Sequence, residues 1–270
     1  MNFFESIIYG LSGEMTTPTN YGLFHIIAFL LVIGLTVFLC LKFKNCSDKA
    51  FRIILGIFWG IIVLLEIYKQ IVFSFNYENG VVTWDYQWYA FPFQFCSSPL
   101  YILPFIIFLK DGKVRNACMS FMSTFAFFAG LVVMFYPNDV FIRTIGINIQ
   151  TMVHHGSQVA LGIFIFVHNR KKANWKYFLT GIIPYVALVL SALVLNVTFI
   201  YITTETFNMF YISPYFACTL PLLSMIYASV PYVVFLFVYI FGFVLAAAIM
   251  FAIMYGIYKL VLKVKQKKNA

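Results

Sequence analysis

Cys96, His154 and His155 are the residues of this chain best suited to chemistry. A thiol near an imidazole is the minimum for nucleophilic catalysis: the imidazole takes the proton, and the thiolate attacks an acyl carbon. Gln94 or Gln150 would supply an oxyanion donor. Spacing alone does not select this reading. A cysteine in an apolar helix more often packs, and a pair of buried histidines can serve interhelical hydrogen bonding. Glu66 and Lys69 stand at i,i+3, where they can simply neutralise each other. His25 reads more readily as structural support than as a catalyst.

A metal ion is the main chemical competitor, since three histidines and Glu66 fall in apolar stretches. HExxH and HxxxH are absent, and neighbouring histidines on a helix do not converge easily on one ion, so no metal is assigned. His168 sits in a basic connection, away from the others. No Walker motif, phosphate-binding glycine loop or dinucleotide fingerprint occurs, so no cofactor is assigned and ATP-driven transport by this chain alone is disfavoured. The five cysteines are odd in number and lack CxxC spacing, which is neither a disulfide framework nor a zinc ribbon.

These residues must be positioned by helices in a bilayer. The chain is 63% hydrophobic and 10% charged, with mean hydropathy +0.91. Soluble domains run at about half apolar and about a quarter charged. The expected fold is all-α, a seven-helix transmembrane bundle forming one domain over residues 1–270. Its spans are Tyr21–Leu41, Ile53–Phe73, Phe91–Leu109, Asn116–Tyr136, Ile147–Val167, Tyr177–Ile200 and Tyr232–Tyr258, followed by a basic tail over 259–270. No cleavable signal peptide is expected, because Glu5 and Glu14 precede any basic residue. Residues 201–230, broken by Pro214 and Pro221, are either a re-entrant segment or an ordinary loop.

Charge sets the direction. Of the 18 basic residues, 16 fall in the first, third and fifth connections and the tail. They are Lys42, Lys44, Lys49 and Arg52; Lys110, Lys113 and Arg115; Arg170, Lys171, Lys172 and Lys176; and Lys259, Lys263, Lys265, Lys267 and Lys268. The opposite end keeps Glu5, Glu14, Glu78, Asp85, Asp139 and Glu205, with Arg143 as its one basic residue. The net charge of +9 is therefore explained by topology, not by nucleic acid, and it places the N-terminus outside and the C-terminus in the cytoplasm.

That orientation gathers the polar residues. At 1.5 Å per residue, His25, Glu66, Lys69, Gln94, Cys96, His154 and His155 fall roughly 4–12 Å below the external interface. Ionisable groups at that depth are costly and mark function by default. Gln150, His154, Ser157 and Gln158 share one helix face, with His155 turned about 100° away. Lipid ester carbonyls lie at this depth.

Four motifs add a family resemblance: Pro92-Phe93-Gln94-Phe95-Cys96, Tyr136-Pro137-Asn138-Asp139, His154-His155-Gly156 and Phe207-Asn208-Met209-Phe210. With these the chain resembles the YwaF-type family of bacterial integral membrane proteins, related to the eukaryotic transmembrane protein 164 family. The resemblance implies an acyltransferase that moves fatty acyl chains between phospholipids through an acyl-cysteine. Cys96 would then be the acyl carrier and His154 or His155 the base. Gln94, Gln150, Gln158, His25, Glu66, Lys69 and Asn208 would bind substrate or support the site. A related group hydrolyses fatty-acid esters with Thr and His. The expected partner is a membrane phospholipid or fatty acyl ester, and the expected location a bacterial cell membrane. Two other readings of the same layer stand beside this: a small-solute or proton-coupled carrier using Glu66, Lys69 and His154, and a structural subunit without chemistry.

Overall fold

The structure is a computed structural model and describes residues 2–78, 80–138 and 140–269, with backbone alone for 268 and 269. Asp139, counted above among the acidic loop residues, lies outside the described residues. The chain is mostly helical, in the order α1 (Phe3–Leu11), α2 (Leu23–Phe43), α3 (Asp48–Val72), β1 (Phe75–Glu78), β2 (Val81–Trp84), α4 (Ser98–Phe108), α5 (Lys113–Phe121), α6 (Phe127–Phe135), α7 (Ile145–Asn169), α8 (Trp175–Thr180), α9 (Ile182–Phe199), α10 (Leu223–Ser229) and α11 (Tyr232–Asn269). A π turn, Met122–Ala126, joins α5 to α6.

Local chemistry explains most of these boundaries. Asn2 and Glu5 form a reciprocal capping box that starts α1. Ser47 caps α3 by accepting from the Ala50 amide. β1 and β2 pair as an antiparallel hairpin, Phe75 opposite Trp84. It covers the end of α3 and is absent from the all-α expectation.

Among the described residues, five helical stretches are long and apolar enough to cross a membrane: Leu23–Phe43, Asp48–Val72, Lys113–Phe135, Trp175–Phe199 and Tyr232–Lys267. A shorter apolar stretch covers Phe95–Phe108. The expected span Phe91–Leu109 is thus helical only in its later part: Pro92 lies before the 3-10 turn Phe95–Ser97, and Pro99 sits in the first turn of α4, where it favours a helix start. The expected span Ile147–Val167 is there as α7, with 25 residues, but its composition is too polar to qualify. Its polar residues are buried by protein instead. Gln150, His154, His155, Ser157 and Gln158 are each at most 6% exposed.

α7 is the axis of the bundle, and α2 and α6 pack closely along it. Glycines make that approach tight. A Cβ on Gly156 would stand 2.3 Å from a methyl of Val32, and one on Gly130 would stand 2.6 Å from the Gln158 Cβ and 2.7 Å from the His155 carbonyl oxygen. The outer helices α2 and α11 present Leu30, Leu31, Phe237, Phe241 and Leu245 outward, as lipid-facing surface requires.

The connections separate onto two ends. Arg115 reaches Asp48 at 2.6 Å, Lys172 reaches Asp111 at 3.1 Å, and Arg170 donates to Asn45. These contacts join the first, third and fifth connections. At the other end Glu14 bridges Thr144, and Tyr68 donates to the Leu11 carbonyl.

The 201–230 region is not a plain connecting loop. It folds inward, burying Phe207, Met209, Phe210, Ile212 and Ser213 before α10 begins. Phe210 and Tyr211 hold positive φ of 59° and 57°, a strained conformation for bulky residues.

The α6–α7 contact makes a sharp test. Gly130→Ala must displace the backbone or Gln158, and should destabilise by about 1–3 kcal/mol. At Gly242 an added methyl would meet nothing within 4 Å, so Gly242→Ala should leave the unfolding temperature in detergent unchanged or slightly raised. Equal behaviour of the two variants would contradict the packing described.

Candidate functional site

The chain turns sharply just before α4. Residues Phe95–Ser97 form one 3-10 turn, closed by the Ser97 amide donating to the Gln94 carbonyl at 2.8 Å. Pro99 sits in the first turn of α4, where its missing N–H is harmless. The turn points the Cys96 carbonyl at α7. His154 Nε2 donates to that oxygen at 2.8 Å, and Gln158 Nε2 donates to the same oxygen. His154 and Gln158 are one helical turn apart, so a single face of α7 grips the residue that carries the thiol. Cys96 itself keeps partial exposure.

The hydrogen bonds also fix the tautomers, because a carbonyl can only accept. His154 must carry its proton on Nε2, leaving Nδ1 as a lone pair. His155 Nδ1 donates to the Thr151 carbonyl at 2.8 Å, leaving Nε2 as a lone pair. Both lone pairs are buried without a hydrogen-bond partner. The two imidazoles, 5.5 Å apart between ring centroids, therefore each keep one ring nitrogen without a partner. His25 differs. Its Nδ1 accepts from the Tyr21 amide at 2.9 Å and its Nε2 donates to the Met134 carbonyl at 2.8 Å. Both ring nitrogens are used, so His25 caps α2 and ties it to α6, away from the thiol.

Opposite the histidines, α3 supplies a buried ion pair. Lys69 Nζ lies 2.8 Å from Glu66 Oε1. Gln70 also donates to Glu66 Oε1, at 2.7 Å, and Tyr86 donates to Gln70 Oε1 at 2.8 Å. The Tyr86 phenol is pushed up to about 12 by burial and by the Glu66 charge, so it stays a donor at neutral pH. Glu66 Oε2 has no partner. The Lys69 ammonium acts electrostatically on Cys96, His154 and His155, which places all four in one neighbourhood. A groove of about 440 Å³ runs beside this pair, with Glu66 and Gln70 set among Val63, Ile67, Leu100 and Tyr101.

The structure thus brings Cys96, His154 and Gln158 into contact, with His155, Glu66 and Lys69 around them. Gln94 and Asn208 go elsewhere. Gln94 accepts from the Phe210 amide at 3.0 Å and donates to the Asn208 carbonyl at 3.1 Å. Asn208 accepts from the Ser213 amide and donates to the Ala217 carbonyl. Together they latch the inward-folded loop onto the Cys96 turn. Asn196, in the Asn196-Val197-Thr198 match to a glycosylation site, is buried with its amide spent on both backbone groups of Met209. Gln150 is buried on α7, and no hydrogen bond joins it to the Cys96 turn among the described residues. Ser98 joins the site without having been expected there: it is buried next to the turn with its hydroxyl unpartnered. Its place two residues after Cys96 is the one sequence signal that could have pointed to it. Among the described residues, no three His, Cys, Asp or Glu side chains are grouped to hold a metal ion.

A family model described as the TMEM164 family matches residues 18–255, a range that contains every residue of this site. No curated protein and no solved structure matches the chain.

His25 gives a separable test. His25→Ala strips partners from the Tyr21 amide and the Met134 carbonyl, and should cost about 1–3 kcal/mol of stability. Labelling of Cys96 by a thiol reagent should be unchanged below the lowered unfolding temperature. Loss of Cys96 labelling in the folded variant would place His25 inside the site instead.

Proposed function

The chain belongs to the TMEM164 family, and from that premise and the site geometry we propose that this integral membrane protein is a thiol-dependent lipid acyltransferase or esterase. The observation that supports the reading is the grip of His154 and Gln158 on the carbonyl of Cys96, with one nitrogen of the His154 ring left unpartnered on the same helix face. His154 is the preferred base, because its ring is bonded to the nucleophile's own residue, with His155 behind it.

In the proposed reaction His154 Nδ1 takes the Cys96 proton. The thiolate attacks the ester carbonyl of a membrane lipid, forming a C–S bond as the ester C–O bond breaks. The leaving alkoxide takes the proton back from the imidazolium. An acceptor hydroxyl, or water, then gives its proton to the imidazole and attacks the thioester, releasing the thiol. Lys69 favours the anionic states through its field, and Glu66 limits that charge.

The membrane frame belongs to the same proposal. Five apolar helices, the shorter α4 with its lead-in turn, and the shielded α7 make seven crossings. The basic end faces the cytoplasm and the site lies in the outer half of a bacterial cell membrane, near the ester carbonyls. A second reading is favoured by the Glu66–Lys69 pair beside an open groove: a solute or proton-coupled carrier. Flux in liposomes that needs Glu66 but not Cys96 would support it.

The purified protein incubated with phospholipid labelled in its acyl chain should form a hydroxylamine-sensitive adduct at Cys96. Cys96→Ala should abolish it. His154→Gln keeps an amide donor for the Cys96 carbonyl and removes the base, so turnover should fall about 10²- to 10⁴-fold with the fold intact. Full activity in Cys96→Ala would end the proposal.

A further inference from the structure

Far from the Cys96 turn, the other end of α7 borders a second cavity of about 440 Å³. His154 and His168 are separated by roughly 21 Å along the helix at 1.5 Å per residue. Asp48, Asp111, Arg115, His168, Lys171 and Lys172 bring the charge to its walls.

Arg115 is the unusual member. It is 4% exposed, so its guanidinium is almost wholly enclosed. Nε donates to the Ile106 carbonyl at 2.8 Å and Nη2 to Asp48 Oδ1 at 2.6 Å, with the Phe51 ring 5.9 Å from its central carbon. No acceptor among the described residues meets Nη1. A buried arginine needed only to hold α5 against α3 and α4 is already satisfied by those two bonds, and a donor nitrogen is left over.

The acidic residues do not cancel the surrounding charge. Asp48 is shared with a second arginine, its Oδ2 lying 2.7 Å from Arg52 Nε. Asp111 is engaged with Lys172 at 3.1 Å. Lys171 is exposed and forms no ion pair among the described residues. The cavity therefore offers a partly free guanidinium and a free ammonium, with both carboxylates committed. His168, stacked on Phe51 at 4.2 Å between ring centroids, lines another part of it.

A planar fork with an unused donor, beside an exposed ammonium, is suited to a tetrahedral oxyanion. We propose that this cavity binds a phosphate-bearing group, separately from any acyl chemistry at Cys96. The group would bridge the start of α3, the start of α5 and the end of α7. Two sources share that chemistry: the headgroup of an anionic membrane lipid and a soluble phosphate compound.

The test uses the full chain in phosphatidylcholine nanodiscs, with the unfolding temperature as readout. One arm adds increasing phosphatidic acid, and the other adds inorganic phosphate. At least one should raise the unfolding temperature in a saturable way. Lys171→Gln, an exposed change, should weaken the apparent affinity about tenfold, as expected for loss of one charge-assisted contact. Lys263→Gln, on the exposed far stretch of α11, should not. A response to phosphatidic acid alone identifies the lipid headgroup, and a response to phosphate alone identifies a soluble ligand. No saturable rise in either arm, or equal weakening by Lys171→Gln and Lys263→Gln, would overturn the site. Because Cys96 takes no part, Cys96→Ala should give the wild-type response.

Discussion

A helix that carries Asn148, Gln150, His154, His155 and Gln158 cannot face hydrocarbon. Each such side chain would lose its water without gaining a partner. The bundle is arranged around that constraint. α2 and α6 approach α7 closely enough that Gly130 and Gly156 have no room for a methyl group. The outer surface is left to α2, α3, α9 and α11, whose exposed apolar side chains make lipid a good solvent. Remove the need to bury α7, and neither the glycine contacts nor the inward-folded loop has a reason to exist.

Burial alone does not satisfy the polar groups, and the pattern of what is satisfied is informative. His25 uses both ring nitrogens, and Asn196 and Asn208 use both ends of their amides. These residues build the frame. Of the unpartnered buried atoms among the described residues, those at Asn20, Asn116, Tyr177, Tyr185 and Tyr239 are scattered outside the site, and five belong to it: His154 Nδ1, His155 Nε2, Gln158 Oε1, Glu66 Oε2 and the Ser98 hydroxyl. Four of these five can only accept. Natural cores rarely leave such atoms unmet, and the proposed chemistry at Cys96 would bring donors to these five. The thiol proton of Cys96 and the hydroxyl of an acceptor alcohol are donors of that kind.

Much of this was legible in the sequence, for reasons that differ by element. α2 and α11 are continuous apolar runs: α2 begins and ends two residues from the expected span, and α11 starts at the expected Tyr232 but continues as helix through the basic tail to Asn269. The α7 stripe was visible because helical period carries over directly from spacing to face. Basic residues in alternate connections marked the end where Asp48, Asp111, Arg115 and Lys172 meet. What escaped was set by distant partners. Gln94 reads as an oxyanion donor beside Cys96, yet its amide is spent on a loop more than a hundred residues away. The hairpin over Phe75–Trp84 is too short for a periodic signal. The Asn79-Gly80 pair in the sequence was its one available clue. Phe210 and Tyr211 at positive φ have no sequence signature, since the strain is held by contacts and not by residue type.

The strained loop and the Cys96 turn are one assembly. Gln94 starts the 3-10 turn and also holds the Phe210 amide, while Phe210 packs against Phe95 at 5.4 Å between ring centroids. α7 grips the turn from one side through His154 and Gln158, and the loop grips it from the other through Gln94. Cys96 therefore sits on backbone fixed from two directions, the preorganisation that the proposed nucleophile would use. The same geometry limits the base. With Nε2 committed to the Cys96 carbonyl, His154 can accept a proton only at Nδ1, so any acyl transfer must bring the thiol to that side of the ring.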